Sequence, residues 1–440
     1  MTGRTAALET LGCKVNQYES SFFLEALKGA GYHIVPFRER ADVYIVHSCA
    51  VTSKAGFQTR QLLRRARRLN GDAVVVVAGC DAQVESERFA NEGLATHVLG
   101  SSEKFDLLSR IEAAGSFSHP SLSVGNPRLC DRFDISPVTR MHSGRTRAYM
   151  KVQDGCDAFC SYCIVPYARG KSRSLPKDEV RLQMDRFLDC GYEEVVLTGI
   201  HLGQWGRDLD PPQDLTALLS FLHEGPLPSR IRLSSLESVE WTEELIKRLH
   251  TWPRICPHFH IPLQSGDEEI LERMHRPYTP RQYEELVQEL HLLFPDAALG
   301  ADVMVGFPGE TELHFRNTFE LISRLPLTYL HVFPFSPRPG TAATNFRGRI
   351  TGSELKRRTQ ILQGLSTRKK QAFRKRFLGQ WVEILVESQV KPGWWQGTSE
   401  NYLQVRFPAE NHILQGSLVK VRLARMTEDG MEGELRRNGC

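Results

Sequence analysis

Six of the ten cysteines in this 440-residue chain stand where thiolates could gather round a metal. Cys156, Cys160 and Cys163 share one short stretch, residues 154–174 (DGCDAFCSYCIVPYARGKSRS), at a C-x3-C-x2-C spacing. A tight cysteine cluster in a long chain points to metal binding or redox chemistry before disulfides. Three thiolates are one short of a closed tetrahedral zinc site, and no histidine lies within five residues to complete it. They do suit a 4Fe–4S cluster with one iron left open to an outside ligand. A zinc loop or a set of redox-buffered thiols is the competing reading. Cys13, Cys49 and Cys80 are far apart in sequence, yet each follows a segment that reads as a strand. A single cysteine is more often a buried core thiol. Three placed alike at strand ends fit that account poorly.

The elements that must position these thiols come next. Residues 5–12, 43–48, 73–79 and 96–99 read as strands, and 17–30, 54–69 and 102–114 as helices. Strand alternating with helix implies a parallel, doubly wound sheet. Parallel strands share one carboxyl edge, where ligands bind. Cys13, Cys49 and Cys80 are therefore expected to converge there as a second three-thiolate site. Residues 116–145, rich in Ser, Pro, Gly and Arg, read as a linker with a short strand or two. Cys130 within it has no partner at metal spacing.

Alternation resumes with strands at 147–153, 194–198, 231–235, 258–263, 299–305 and 328–334. Helical patterns fall between them at 177–190, 241–250, 281–294 and 311–325. Six such units suggest a partial (β/α)6 barrel, whose working residues sit on loops after the strands. Those loops hold Cys156, Thr198-Gly199-Ile200-His201, Ser235-Leu236-Glu237, Gln264-Ser265-Gly266, Gly306-Phe307-Pro308-Gly309 and Ser336-Pro337-Arg338-Pro339-Gly340. Arg169 and Arg173 are candidates to bind an anion. His201, His260 and His275 are more readily structural than ligands, and no Ser–His pairing or carboxylate cluster suggests hydrolysis. Residues 347–380 carry eleven Lys or Arg and one acid, Glu354, beside an apolar helical face. That stripe is a footprint for phosphates, and Arg60, Arg64, Arg65, Arg67 and Arg68 form a second. Residues 381–437 read as short strands of a small β-barrel.

Composition restrains the partners. A hydrophobic share of 41% and a charged share of 25% are ordinary for a globular protein. Net charge is only +4, so nucleic-acid binding must rest on local charge. The longest purely apolar run, 73–78, is too short to span a bilayer, and the N-terminus lacks a basic-then-apolar signal. A cytoplasmic protein is expected.

The stretch around Cys156, Cys160 and Cys163, with Tyr162 before the third cysteine, closely resembles the radical S-adenosylmethionine (SAM) enzymes. The resemblance implies SAM on the open iron and its one-electron cleavage to a 5′-deoxyadenosyl radical. TLGCKVNQYES (10–20), HSCAVTSKA (47–55) and AGCDAQ (78–83) resemble the N-terminal domain of the methylthiotransferases. The wording is closest to the branch acting on N6-threonylcarbamoyladenosine at tRNA position 37. His47-Ser48 departs from the Asn-Thr more usual there, which questions a neighbouring contact. The last segment resembles a TRAM RNA-binding domain, whose Trp394, Trp395 and Tyr402 with Arg406 and Arg422 could clamp an RNA loop. The implied chain is a domain at 1–115, a linker at 116–145, the barrel with its basic helix at 146–376 and TRAM at 377–440. Implied cofactors are SAM and two 4Fe–4S clusters, on Cys156, Cys160 and Cys163 and on Cys13, Cys49 and Cys80. Resemblance assigns Thr198, Gly199, Ser235, Glu237, Gln264 and Gly306 to the SAM site. Implied partners are the tRNA anticodon loop and a reductant such as flavodoxin or ferredoxin. Isopentenyladenosine tRNA or a ribosomal protein are rival substrates, and a non-catalytic iron–sulfur RNA sensor is the rival class.

Overall fold

The computed structural model describes residues 4–113, 120–131, 133, 137–409 and 414–436. The first unit runs β1 (Thr5–Thr10), α1 (Lys14–Gly29), β2 (His33–Ile34), β3 (Val43–Ser48), α2 (Ser53–Leu69) and β4 (Val74–Gly79). It continues through α3 (Cys80–Val84), α4 (Ser86–Glu92), β5 (His97–Leu99), α5 (Leu107–Glu112) and β6 (Ser121–Ser123). The strands form one sheet in the order β2-β1-β3-β4-β5-β6, parallel throughout. β3 and β4 are Val- and Ile-rich and buried on both faces, as central parallel strands must be. Val43, Ile45 and Val76 pack with Phe23, Leu24 and Leu107 of α1 and α5 on one face. Tyr44, Val46, Val75 and Val77 pack with Leu63 and Phe89 of α2 and α4 on the other. β6 lies inside the segment read as a linker and extends this sheet. The linker's residues 114–119, 132 and 134–136 are outside the described set.

The second unit begins with β7 (Arg147–Lys151), a short hairpin of β8 (Gln153–Asp154) and β9 (Arg173–Ser174), and between them α6 (Val165–Arg169). α7 (Lys177–Asp189), β10 (Glu194–Thr198), α8 (Leu215–His223), β11 (Arg230–Leu233), α9 (Glu243–Thr251) and β12 (His258–His260) follow. α10 (Glu268–Arg273), α11 (Pro280–Leu293), β13 (Ala298–Val305), α12 (Glu312–Arg324) and β14 (Tyr329–Pro334) complete it. Two parallel three-stranded sheets, β11-β10-β7 and β12-β13-β14, join through a bridge from Ile231 to Ile255. The barrel is thus left open between β7 and β14. Helix α1 of the first unit packs on β7, at one edge of that opening. The sequence reading did not give α8 or α10; α8 (LTALLSFLH) is apolar nearly all round, unlike the equally long α9, and α10 has only six residues.

Helix α13 (Gly352–Arg376) lies along β14 and leads to a closed five-stranded barrel, β15 (Trp381–Lys391), β16 (Trp394–Ser399), β17 (Gln404–Pro408), β18 (Leu418–Met426) and β19 (Met431–Leu435). Between β16 and β17 the chain turns at Tyr402, whose φ is 68°. Ile384, Val405, Phe407, Val421 and Leu423 fill this small barrel. It docks under the larger one through charge. Arg230 and Arg232 donate to the backbone carbonyls of Glu383 and Glu400, and Arg147 pairs with Glu387. Glu194, fully buried beneath, pairs with Arg232 at 2.8 Å and Arg147 at 3.4 Å. Among the described residues no helix is long and apolar enough to cross a membrane.

Candidate active site

Strand register gathers the first three cysteines. Thr10 lies opposite His47, and Ser48 opposite Gly79, so Cys13, Cys49 and Cys80 leave neighbouring strands at one edge. Two glycines make the approach possible. A Cβ on Gly12 (φ 101°) would stand 2.9 Å from the Cys49 Sγ, and one on Gly79 (φ 99°) 2.8 Å from the His47 ring. An L side chain would be strained and would clash at both. Asn16 donates to the carbonyls of Leu11 and Ser48 and ties the Cys13 turn to the Cys49 strand. Burial pushes the Cys49 thiol up to about 12, and the nearby Cys80 and Cys13 push the same way. Burial raises Cys80 too. Such thiols ionise only when a cation is brought to them.

The unusual His47-Ser48 pair is absorbed locally. His47 Nδ1 contacts Ser20 Oγ at 2.8 Å, and its ring lies 3.4 Å from the Glu19 carboxylate. Ser48 Oγ donates to the Ala78 carbonyl and accepts from the Ala82 N–H at the start of α3.

The barrel's triad sits on the β8–β9 loop. The Ala158 N–H donates to Cys156 Sγ at 3.5 Å, and Arg276 Nη1 to Cys160 Sγ at 3.3 Å. His201 Nδ1 lies 3.4 Å from Cys156 Sγ, and its Nε2 lies 2.7 Å from Glu240. Burial alone would lower His201, but Cys156 and Glu240 push it up to about 10. Burial lifts Cys163 to about 12, with Cys160 and Cys156 adding to it. His201 is therefore tied to the cysteine loop, while His275 caps a turn at φ 58°.

The segments that carry the two triads touch. Cys80 and Ala50 of the first unit pack with Ile164 and Ala168, next to Cys163 on the barrel's α6. Behind the contact lies a buried charge cluster. Glu19 on α1 accepts from Lys104 at 2.8 Å, Lys151 at 3.0 Å and Arg169 at 3.3 Å. Asp154, beside the cysteine loop, accepts from Arg169 at 2.8 Å and Lys151 at 3.2 Å. Arg169 also donates to Asn16. Arg169 and Arg173, read as binders of an external anion, are turned inward; Arg173 bonds the carbonyls of Arg169 and Cys130. No spacing rule could have found Glu19, Lys104 or Arg276, which act across 85 or more residues.

The residues assigned to SAM lie on the strand-end loops. The Thr198 carbonyl accepts from Val152 N–H at 3.0 Å. A Cβ on Gly199 would meet Gln153 Oε1 at 2.8 Å, and that same oxygen accepts from the His201 N–H. Ser235 Oγ contacts His260 Nδ1 at 2.7 Å, and Glu237 is paired with Arg276. Gln264 stands at φ 63° with its side-chain oxygen buried and unpartnered, as are the Ser234 and Ser238 hydroxyls. Tyr162 packs against the cluster of Ile270, Met274, Met304 and Phe307. Gly306 (φ 76°) donates its N–H to Glu310, and a Cβ there would stand 2.7 Å from Leu355. Its closeness serves the packing of the segment entering α13. Within the lumen, His260 and His331 share Asp302 at 3.2 Å and 3.3 Å. These three are, among the described residues, the one group of ligand atoms within 4.8 Å of one another.

The expected RNA stripe is only partly free. Arg358 is buried against Glu310 and Glu354, Arg374 bonds the 427–429 carbonyls, and Lys369 bonds those of Ser323 and Leu325. A cavity of about 230 Å³, lined by Lys370, Arg374, His331, Tyr402 and Gln404, lies where α13, β14 and the small barrel meet. Tyr402 stacks on His258 with centroids 4.1 Å apart and lies under Arg232, so it cements the two barrels. Trp395 packs against the small-barrel core, whereas Trp394 stands outward over Lys391.

The residues fit iron–sulfur and SAM chemistry. Each triad is free of disulfides. The barrel triad has N–H donors aimed at its sulfurs, as clusters use to set potential. The orphaned buried oxygens of Gln264, Ser234 and Ser238 await a polar ligand. A partial parallel barrel with a three-cysteine loop after its first strand defines a radical SAM enzyme. The Radical SAM superfamily matches residues 150–322, and Uncharacterized protein family UPF0004 matches residues 5–100. The solved radical S-adenosylmethionine methyltransferase TsrM from Kitasatospora setae superposes with a TM-score of 0.56 at 17% identity, covering 78% of this chain and 77% of that one. The threonylcarbamoyladenosine tRNA methylthiotransferases MtaB of Bacillus subtilis and Thermotoga maritima are 36% and 34% identical, covering 98% and 97% of this chain and 96% of each relative. A tRNA-2-methylthio-N(6)-dimethylallyladenosine synthase from Geobacter metallireducens is 34% identical over 99% of both chains. The chain belongs to the radical SAM methylthiotransferase family.

Proposed function

We propose that this enzyme converts N6-threonylcarbamoyladenosine at position 37 of tRNA to its 2-methylthio form, using one 4Fe–4S cluster on Cys156, Cys160 and Cys163 and another on Cys13, Cys49 and Cys80. The observation that supports the reading is the packing of Cys80 against Ile164, the residue after Cys163, and against Ala168. The adenine C2–H is neither acidic nor a good electrophilic site, so acid–base groups alone do not functionalise it. Reduced iron–sulfur clusters with SAM supply the hydrogen abstraction, sulfur and methyl group when bound.

The chain's own residues hold and orient. Arg276 and the Ala158 N–H stabilise negative charge on the barrel thiolates. Thr198, Gly199, Ser235, Glu237, Gln264 and Tyr162 would line the SAM site. α1 and the two barrels screen the lumen from water. Lys356, Arg368, Lys370 and Lys375 on α13 and Trp394 with Arg406 on the small barrel would meet the tRNA backbone and anticodon loop. A flavodoxin or ferredoxin in the cytoplasm would supply electrons. Boundaries near 115, 145 and 376 divide these tasks among the domains. Nucleoside mass spectrometry of tRNA from a deletion strain tests the substrate. Loss of 2-methylthio-N6-threonylcarbamoyladenosine, with its precursor accumulating, is expected. Loss of the isopentenyl derivative instead, or unchanged tRNA, would sink the reading. Absence of 5′-deoxyadenosine from the cluster-reconstituted protein with SAM, tRNA and reductant would leave an RNA-binding sensor.

A further inference from the structure

We propose that Lys14 forms a carboxylate-binding site in the barrel lumen that reads the amino-acid carboxylate on the N6 substituent of the substrate adenine. The inference rests on the substrate reading above and deepens it. Lys14 is the first residue of α1, next to Cys13, and it is partly buried. It lies within the electrostatic reach of Arg147 on β7, Arg232 on β11, His258 on β12 and Asp302 on β13. Those four strands surround the lumen, so the ammonium reaches into it from the side where α1 meets the barrel.

The other cations of this interior are matched. Lys104, Lys151 and Arg169 share Glu19 and Asp154, while Arg147 and Arg232 hold Glu194. Among the described residues Lys14 has no hydrogen bond or ion pair. Asp302, the carboxylate in its field, is already taken by His260 and His331. Arg147 and Arg232 repel it, and Cys13, the other group that draws it, is committed to the proposed cluster. An inward cation that no protein group satisfies is costly unless a ligand brings the anion.

The helix end adds to the same demand. The 16-residue α1 has Cys13 at its N-cap, which makes no side-chain cap hydrogen bond, and no acid in its first turn. Apart from the Cys13 thiolate, no anionic side chain meets its positive end, where Lys14 projects. A threonylcarbamoyl group carries a carboxylate close to the base. A dimethylallyl group carries none. The position therefore discriminates between the two kinds of N6 substituent without touching the reacting carbon. SAM also carries a carboxylate, and the test separates the two sources.

The experiment uses the reconstituted full chain as wild type, Lys14→Met and Lys14→Arg. Two anticodon stem-loop RNAs are compared, one bearing N6-threonylcarbamoyladenosine and one with threoninol in place of threonine, which deletes only the carboxylate. Within each protein the ratio of kcat/KM for the two RNAs is read, and the ratio of their Kd values beside it. Cluster loss scales both RNAs alike and cancels from the ratios, and the Kd ratio survives a dead variant. Wild type should favour the carboxylate RNA by about 10- to 100-fold, the range of one hydrogen bond to a charged group. Lys14→Met should bring the ratio near one, and Lys14→Arg should keep most of it. An unchanged ratio in Lys14→Met, no preference in wild type, or a rise confined to the KM for SAM would overturn the proposal. Wild type inactive on both RNAs while acting on isopentenyladenosine RNA would refute the substrate reading itself, and this proposal with it.

Discussion

Glu19→Gln probes the joint between the first domain and the barrel. Glu19 is fully buried and faces three cations, Lys104, Lys151 and Arg169. Lys151 and Arg169 keep Asp154 when Glu19 is neutralised. Lys104, also fully buried, is paired with Glu19 alone among the described residues. Breaking a buried pair and stranding one charge costs about 3–5 kcal/mol. With a urea slope of about 3 kcal/mol/M, that lowers the unfolding midpoint by about 1 M or more. Far-UV circular dichroism of the cluster-free full chain reads the shift. Glu243→Gln, which breaks an exposed pair with Lys247, is the control and should not move the midpoint measurably. Glu19→Gln combined with Lys104→Met removes the stranded ammonium and should restore most of the loss.

Acid supplies an independent check on the same residue. Burial by itself would raise Glu19, but Lys104, Arg169 and Lys151 outweigh it and hold the carboxyl well below its usual 4.5. A depressed folded pKa means the stabilisation is complete above about 4.5. It fades as the pH falls toward the folded value. The gap between wild type and Glu19→Gln should therefore shrink in acid. A single-variant shift no larger than that of Glu243→Gln, or a gap that widens in acid, would refute the reasoning.

Replacing Cys156, Cys160 or Cys163 by Ala should abolish release of 5′-deoxyadenosine from SAM, whereas Cys13, Cys49 or Cys80 variants should retain part of it but form no methylthio product; iron counting that finds the same single cluster lost in both sets would contradict two sites. Arg276→Met removes the cation 3.3 Å from Cys160 Sγ. The reduced, more negative cluster is then less stable, and the midpoint potential should fall, by about 60 mV for each tenfold in the equilibrium; an unchanged potential in electrochemical titration would exclude this role. Glu194 would be raised by burial but is held below its usual range by Arg232 and Arg147. Its stabilisation of the small-barrel dock is thus present above about 4.5 and lost as pH falls below that. Hydrogen-exchange protection at β15 and β16, taken relative to the intrinsic rate at each pH, should fall in acid in wild type and be lower and flatter with pH in Glu194→Gln.

Much of this site was legible because its chemistry is local or its periodicity is long. The C-x3-C-x2-C loop needs no tertiary knowledge to suggest a cluster, since neighbouring residues are forced to be neighbours in space. The strand-end placement of Cys13, Cys49 and Cys80 followed from alternation, because parallel strands must end at one edge. Short elements escaped. α10 spans too few turns to establish a period and α8 is apolar nearly all round, whereas β6 is one of the short strands that the linker is read to hold. The basic stripe of α13 misled in part. Charge density says nothing of which side faces Glu310, and Arg358 is consumed there.

By itself the sequence placed Cys13, Cys49 and Cys80 at strand ends and Cys156, Cys160 and Cys163 on one loop, and it settled the succession of sheet, barrel and small barrel and the family motifs that accompany them. These depend on spacing and on hydrophobic period, which a chain carries along its length. Only the tertiary structure decided that Cys80 packs against Ile164, that Glu19 anchors Lys104, Lys151 and Arg169, and that Lys14 has no ion-pair partner among the described residues. Charge pairing across 85 to 150 residues leaves no local trace, because either partner is an ordinary surface residue until the fold removes water from both.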